Sequence, residues 1–314
     1  MNMKSKIILL PIFIMAIFMI CFILFIGTTS EDNNDKMKKT NDMEFSSVYR
    51  LMNPPIPESL QFAGENIPIE RYDVREALDR ELLVNIYWQS NILLYCKRAY
   101  RYFPVIEPIL KEEGVPEDFK YLALIESGLT NVVSPAKAAG FWQFLKETGN
   151  SYDLEINDEV DERYHLEKAT HAACRYLKKS YSQHHSWVLA AAAYNMGDNG
   201  VKRNIDKQQT SSYWDLLLNE ETSRYIYRIL AAKLILSNPK HYGINLQITD
   251  LYQPLQVKTI EIDSSISNLV NFAIAQGISY KQLKVFNPWL RSDKLTNKLK
   301  KKYTIAIPDK MIND

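Results

Sequence analysis

Helical periodicity from residue 71 to residue 245 is the feature that most limits how this chain can fold. Apolar residues such as Leu78 and Leu82 recur every three to four positions, and no segment alternates like a strand. Residues 71–103 are predicted to form one long amphipathic helix because this spacing places the apolar side chains on one face. The prediction is an all-α domain with residues 71–113 as an N-terminal helical extension.

The pattern changes after residue 250. Residues 255–263 alternate between apolar and polar side chains, as a half-buried strand does. Two short helical stretches follow between residues 264 and 288, and residues 303–308 alternate again. These elements predict a small βααβ module over residues 250–314, so that the fold class is mainly α.

The N-terminus begins with Lys4 and Lys6, followed by an uncharged run from Ile7 to Gly27. The run is long enough to span a hydrocarbon core, and lysines before it favour a cytoplasmic N-terminus. Residues 1–30 are therefore predicted to be an uncleaved signal-anchor or a cleaved signal peptide. The first alternative places the protein in the inner membrane facing the periplasm, and the second places it in the periplasm. Residues 31–70, polar and then proline-rich, are predicted to be a linker.

Composition excludes several classes of function. The chain has 38 Lys and Arg against 37 Asp and Glu, which argues against a nucleic-acid partner. Its five histidines show no metal-ligand spacing, and no phosphate-binding loop is present, so neither a metal nor a cofactor is predicted. Cys96 and Cys174 lie in helical runs and are predicted to be buried, although a disulfide between them stays open in an exported protein.

Glu126 is the first candidate catalytic residue. It follows Phe119, Leu122 and Ala123 by seven, four and three positions, which places it on the apolar face of its helix. An apolar environment disfavours the charged form and should raise the pKa of this carboxyl group. A carboxylic acid that stays protonated can donate a proton to a leaving oxygen. An ordinary glutamate in a last helical turn is the alternative.

Four short motifs extend this constellation. They are "ESGL" at 126–129, "AAGFWQF" at 138–144, "AAYNMGDNGV" at 192–201 and "ETSRY" at 221–225. In this order they resemble the motifs of the lytic transglycosylases with a goose-lysozyme-like fold, in particular the membrane-bound lytic murein transglycosylase D group. The resemblance extends over residues 99 to about 243.

The resemblance implies roles for individual residues. Glu126 would be the single catalytic acid/base, and Tyr225 would direct its hydroxyl group to it. Gln143 would bind sugar substituents, with Phe141 and Trp142 beside it, although core packing stays the alternative for Trp142 as it does for Tyr194. The full set of implied substrate-binding residues is Ser127, Gln143, Tyr194, Asn195 and Tyr225.

The implied reaction is cleavage of the β-1,4 bond between N-acetylmuramic acid and N-acetylglucosamine, with formation of 1,6-anhydro-N-acetylmuramic acid. Most glycosidases need two carboxyl groups. No second acid stands out here, because the acidic residues of segment 153–162 are predicted to be solvated surface charge. A hydrolytic muramidase and a non-catalytic cell-wall-binding protein are the alternatives. The expected partners are peptidoglycan glycan strands, and the membrane through the N-terminal helix, whereas protein partners are not indicated.

The C-terminal module resembles a lysin-motif domain. The resemblance rests on "ISNLVNFAIAQGISYKQLKVFNPWL" at 266–290 and "KKYTIAIP" at 301–308. The usual Gly-Asp-Thr-Leu turn, which lies beside the glycan groove in that family, is replaced by "IDSSISNL" at 262–269. The module is therefore expected either to bind glycan or to cap the catalytic domain.

Overall fold

A computed structural model describes residues 52–309. The predicted signal-anchor or signal peptide and most of the predicted linker lie outside the described residues. Within residues 52–309, no helix combines the length and the apolar character needed to cross a membrane.

The first part of the described chain is helical, as predicted. Its eight α-helices are α1 (Tyr72–Tyr87), α2 (Gln89–Glu112), α3 (Lys120–Ser127), α4 (Lys146–Ser151), α5 (Leu166–His184), α6 (Trp187–Met196), α7 (Asp198–Gln208) and α8 (Glu220–Ser237). Short 3₁₀ turns lie at Glu117–Phe119, Glu162–Tyr164, Tyr213–Asp215, Pro239–Tyr242 and Ile248–Asp250. Helix α8 contacts both α3 and α6, and these three helices supply much of the core, including the fully buried alanines of α6.

The prediction of a single helix over residues 71–103 is wrong. The helix stops at Tyr87, and Trp88 (φ −86°, ψ 64°) links it to α2. Helix α2 then continues to Glu112. It passes through Pro104 and Pro108, although prolines inside a helix usually end or kink it. Packing explains the difference, because α1 packs on α8 whereas α2 packs on α3 and α5, and one straight helix could not cover both surfaces.

Part of the predicted linker 31–70 is structured. Strands β1 (Leu60–Phe62) and β2 (Glu65–Ile67) form an antiparallel hairpin with Leu60 opposite Ile67. The Phe62 ring is fully buried and packs edge-on against Phe119, with 5.2 Å between ring centroids. Residues 60–67 thus belong to the core of the helical part, because burial of Phe62 and Ile67 offsets the cost of ordering them.

Cys96 and Cys174 are both free thiols in buried positions. Burial raises the pKa of Cys96 to about 11 and that of Cys174 to about 12. The disulfide that the sequence left open is therefore not formed in the structure, and both side chains act as small apolar groups.

The βααβ module has the predicted order of elements. Its elements are β3 (Val257–Ile262), α9 (Leu269–Ala275), α10 (Tyr280–Phe286) and β4 (Tyr303–Pro308). The two strands are antiparallel, with Val257 opposite Pro308 and Ile262 opposite Tyr303.

The core of the module continues into the helical part of the chain. Ala139, Val160 and Tyr164 belong to the same apolar cluster as the module's own buried side chains. The prediction that segment 153–162 is solvated is wrong at its end, because Asp161 and Glu162 are only 7% and 2% exposed.

Candidate active site

Helix α3 places Glu126 in its last turn. The helix ends at Gly128, which adopts the left-handed conformation (φ 60°) and donates its amide N–H to the Leu124 carbonyl. The three residues before Glu126 are buried, while the glutamate side chain is only half-buried. The acid is therefore held at the edge of the core, where one side can meet a ligand.

Burial raises the pKa of the Glu126 carboxyl group above its ordinary value. The hydrogen bond from Tyr225 and the positive charge of Arg228 oppose this rise, and the negative charge of Glu221 adds to it. The direction agrees with the sequence expectation, because desolvation disfavours a carboxylate. A raised pKa keeps a larger fraction of the group protonated near neutral pH, as a general acid requires.

Tyr225 makes the closest contact with the acid. Its hydroxyl group donates a hydrogen bond to Glu126 Oε1, and its ring is almost fully buried on α8. Burial and the neighbouring Glu126 charge hold the pKa of Tyr225 well above its ordinary range, so the phenol stays a proton donor. Arg228, three residues further along α8, donates from Nη2 to the Ile125 carbonyl at 3.2 Å.

Ser127 makes its described hydrogen bonds to main-chain carbonyls. Its hydroxyl group is bonded to the Phe141 carbonyl at 2.9 Å and to the Ala123 carbonyl at 3.2 Å. The side chain is buried. These bonds fix the end of α3 to the loop that follows, whereas contact of Ser127 with a substrate stays a prediction.

Residues 129–144 return the chain past α3. Gln143 has a left-handed backbone (φ 48°), and its Nε2 donates to the Gly140 carbonyl at 2.7 Å and to the Val132 carbonyl at 3.1 Å. The side chain is half-buried, and its two described hydrogen bonds use only the nitrogen. The amide oxygen is therefore the atom that can accept a hydrogen bond from a sugar.

Trp142 is a core residue. It is fully buried, and its Nε1 donates to Thr170 Oγ1 at 2.8 Å. Of the two alternatives that the sequence left open for this side chain, the structure shows core packing.

Tyr194 and Asn195 lie at the end of α6. The Tyr194 hydroxyl group donates to the Trp142 carbonyl at 2.8 Å. Asn195 Nδ2 donates to Glu221 Oε1 at 3.0 Å, and its Oδ1 accepts from Thr222 Oγ1 at 2.7 Å. Both residues thus connect α6 to other motif segments, Tyr194 to the loop and Asn195 to α8.

Sequence reasoning missed two charged residues near the acid, Glu221 and Arg228. Both affect the pKa of Glu126. Helical spacing could have identified Arg228, because it follows Tyr225 by three residues and so shares a face with it. Glu221 precedes Tyr225 by four residues, and the same rule applies.

A cavity of about 450 Å³ lies beside the acid's helix. Ile125, the residue before Glu126, lines it together with Glu221 and Arg228. The opposite side is formed by the α1–α2 junction, where Trp88 is 60% exposed. A larger cavity of about 810 Å³ lies at the other ends of α3 and α8, away from Glu126. The smaller of these two cavities is the one lined by Glu221 and Arg228, the two charged residues that affect the pKa of Glu126.

Comparison with known proteins gives matches for both parts of the described chain. Residues 103–217 match the model of the transglycosylase SLT domain family. Residues 258–311 match the model of the soluble lytic transglycosylase C-terminal LysM-like domain, so that each of the two domains resembled by the sequence motifs has a matching family model.

The SLT domain is lysozyme-like. The similarity of this chain to known proteins extends beyond the residues that match that domain. The chain is 30% identical over 266 residues to membrane-bound lytic murein transglycosylase D of Escherichia coli strain K12, and equally to the protein of that name in strain O6:H1. The alignment covers 80% of this chain and 57% of each relative. The chain thus spans little more than half the length of the relatives it matches. Helix α1 and the first part of α2, which contribute residues to the cavity of about 450 Å³, precede the residues that match the SLT domain.

Proposed function

We propose that this protein is a peptidoglycan lytic transglycosylase. It cleaves the β-1,4 bond between N-acetylmuramic acid and N-acetylglucosamine and forms 1,6-anhydro-N-acetylmuramic acid. The observation that carries the proposal is the half-buried Glu126, with a raised pKa and a hydrogen bond from Tyr225. The SLT match and the transglycosylase D relatives support it.

In the proposed mechanism Glu126 acts twice. The protonated carboxyl group donates its proton to the glycosidic oxygen, the bond from C1 of the muramoyl residue to that oxygen breaks, and the N-acetyl group stabilises the positive charge at C1. The Glu126 carboxylate then accepts the proton of the C6 hydroxyl group while O6 forms a bond to C1. The proton balance closes without a second acid, because the substrate supplies its own nucleophile.

Tyr225 is proposed to orient the acid in both steps. Its hydroxyl group holds Oε1, so the other carboxyl oxygen of Glu126 is the one that exchanges protons with the substrate. The half-buried position also limits water at the carboxyl group. Exclusion of water favours attack by the tethered C6 hydroxyl group over hydrolysis.

Glu221 is proposed to position Asn195 and to have no part in proton transfer. It accepts a hydrogen bond from Asn195 Nδ2, and its backbone is in the first turn of α8. A muramidase would use such a second carboxylate as a base or nucleophile. A transglycosylase and a muramidase give different products, so the role of Glu221 can be tested by analysing the product.

The remaining predicted residues are proposed to bind the glycan. Gln143 would accept a hydrogen bond at its amide oxygen, while Tyr194 and Asn195 would shape the cleft through their bonds to Trp142 and Glu221. Ser127 would contribute by fixing the loop to α3 through the Phe141 carbonyl.

The cell envelope is the proposed location. The relatives are named as membrane-bound, and the apolar run from Ile7 to Gly27 supports either anchoring in the inner membrane or export to the periplasm. Sequencing the N-terminus of the purified protein decides between them, since a start near residue 30 would mean that the segment is removed.

The test of the activity is mass spectrometry of the sugars that the purified protein releases from peptidoglycan sacculi. Glu126→Gln should lower release by about 10²–10⁴-fold, because it removes the transferable proton and keeps the shape of the side chain. The matched variant Glu221→Gln should still give anhydro products. Muropeptides that borohydride reduces, heavier than the anhydro form by one water, would instead identify a muramidase.

A further inference from the structure

We propose that the C-terminal module is a structural part of the active-site cleft, and that its docking on segment 155–165 positions the loop that carries Gln143. The module is defined here as residues 257–309, and the loop as residues 137–144. The inference rests on the proposed function for the role of Gln143. It assigns the module a task other than glycan retention.

The backbones of the two parts are directly joined. Val160 and Leu290 form an antiparallel bridge. On either side of it, the Asp161 amide donates to the Trp289 carbonyl at 2.9 Å, and the Arg291 amide donates to the Glu159 carbonyl at 2.8 Å. Main-chain pairing of this kind fixes orientation more strictly than side-chain contact between two separate domains.

Apolar packing closes around this bridge. Leu290 and Val160 are buried, and Ala139 of the loop lies in the same cluster. The Arg291 guanidinium lies over the Tyr164 ring, 4.3 Å from its centroid. Removal of the module would expose these side chains, so the surface beneath it is built to be covered.

Carboxylates of segment 155–162 bind the module at residues 296–303. Glu159 accepts from the Thr296 amide at 2.6 Å and from the Thr296 hydroxyl group at 3.1 Å. Glu155 accepts from the Tyr303 hydroxyl group at 3.0 Å and pairs with Lys301. The hydrogen bonds from Thr296 hold the pKa of Glu159 below its ordinary value, and the bond from the Thr296 amide is the largest cause.

Arg163 carries the constraint from the docked segment to the loop. Its guanidinium is paired with Asp161, and Nη1 donates to the Lys137 carbonyl at 3.0 Å and to the Phe144 carbonyl at 3.1 Å. Those two carbonyls are the ends of the loop. Arg163 is therefore a positioning residue for Gln143, which lies between them.

The same contacts occupy the region beside the divergent turn of the module. Ile266 of that turn exchanges backbone hydrogen bonds with Leu295 at 2.8 and 2.9 Å. The next residue, Thr296, is bonded to Glu159 of the helical part. A glycan that approaches the turn would compete with this docking, which favours the positioning role over a second binding site.

The test compares Glu159→Ala with Glu261→Ala in the full chain. Glu261 is the matched control, because it lies on β3 with 70% of its side chain exposed and pairs only loosely with Lys302 at 3.7 Å. We expect Glu159→Ala to speed amide hydrogen exchange in residues 137–144 by about tenfold. It should also lower kcat on a soluble peptide-free glycan by about 10–100-fold. Glu261→Ala should change neither quantity.

Glu159→Gln should restore most of both readouts, because its amide oxygen can still accept from Thr296. Unchanged exchange in residues 137–144 in the Glu159→Ala protein would overturn the proposal, and so would faster exchange without a loss of kcat. Hydrogen exchange does not depend on turnover. An inactive wild-type protein would therefore refute the proposed function while exchange still decides whether the module holds the loop.

Discussion

The substitution Gly140→Ala should show how the position of the loop affects activity, apart from its effect on overall stability. Gly140 has a left-handed backbone (φ 80°), and an added Cβ atom would lie 1.9 Å from the Arg163 carbonyl oxygen and 2.7 Å from its carbon. Real Cβ contacts essentially never fall below 3.0 Å, so the two backbones must separate by about 1 Å. The neighbour is main chain that is itself fixed by Asp161 and the docked module, so the loop must move instead.

The expected loss of activity follows from that displacement. Gln143 is three residues from Gly140 and donates to its carbonyl, so a shift of the loop moves the candidate sugar-binding amide. A misplacement of about 1 Å can cost about 10²-fold in rate. The left-handed backbone adds about 1–2 kcal/mol of destabilisation for alanine.

The assay is the initial rate on a soluble glycan together with thermal unfolding. Gly114→Ala is the control, because Gly114 also has a left-handed backbone (φ 68°) but its added Cβ atom would meet nothing within 4 Å. Both variants should lose similar stability from the backbone, whereas only Gly140→Ala should lose about 10²-fold in kcat/KM. Equal activity of the two variants would refute the link between the Arg163 contact and the position of Gln143.

Two further predictions concern the surroundings of the acid. Glu126 must be protonated to act, so kcat/KM falls as the pH rises through its pKa. Arg228 lowers that pKa and Glu221 raises it. The alkaline limb of the pH–rate profile should therefore move to higher pH in Arg228→Gln and to lower pH in Glu221→Gln. Shifts of the same sign in both variants would contradict the charge assignment. Trp88→Ala should raise KM for long glycan strands by about tenfold and leave kcat unchanged, because an exposed aromatic ring beside the cavity can stack on a sugar. An unchanged KM in steady-state assays would show that the ring lies outside the cleft.

The sequence was informative wherever the physical cause is local. Periodicity placed Glu126 on the apolar face of a short helix, and burial does raise its pKa. The resemblance implied that the Tyr225 hydroxyl group contacts the acid, and the hydrogen bond is present. Alternation likewise predicted both strands of the C-terminal module.

Local rules misled where packing overrides them. The two prolines of α2 are signals for a helix end, yet the helix continues because it packs on α3 and α5. The break came instead at Trp88, whose surroundings carry no glycine or proline.

Tertiary structure alone decided what the polar side chains contact. Ser127 is bonded to the loop, Trp142 to Thr170, and Asn195 to residues of α8, all across sequence separations that no local pattern encodes. The acidic segment shows the same principle, since a run that is typical of solvated charge is buried at residues 160–162 and bonds to the C-terminal module through Glu159. Sequence by itself determined that residues 71–245 are mainly helical and which carboxyl group is placed at the edge of the core, because periodicity and spacing along one element carry that information. The partners of each polar group depend on which elements meet in space, and only the folded chain brings those elements together.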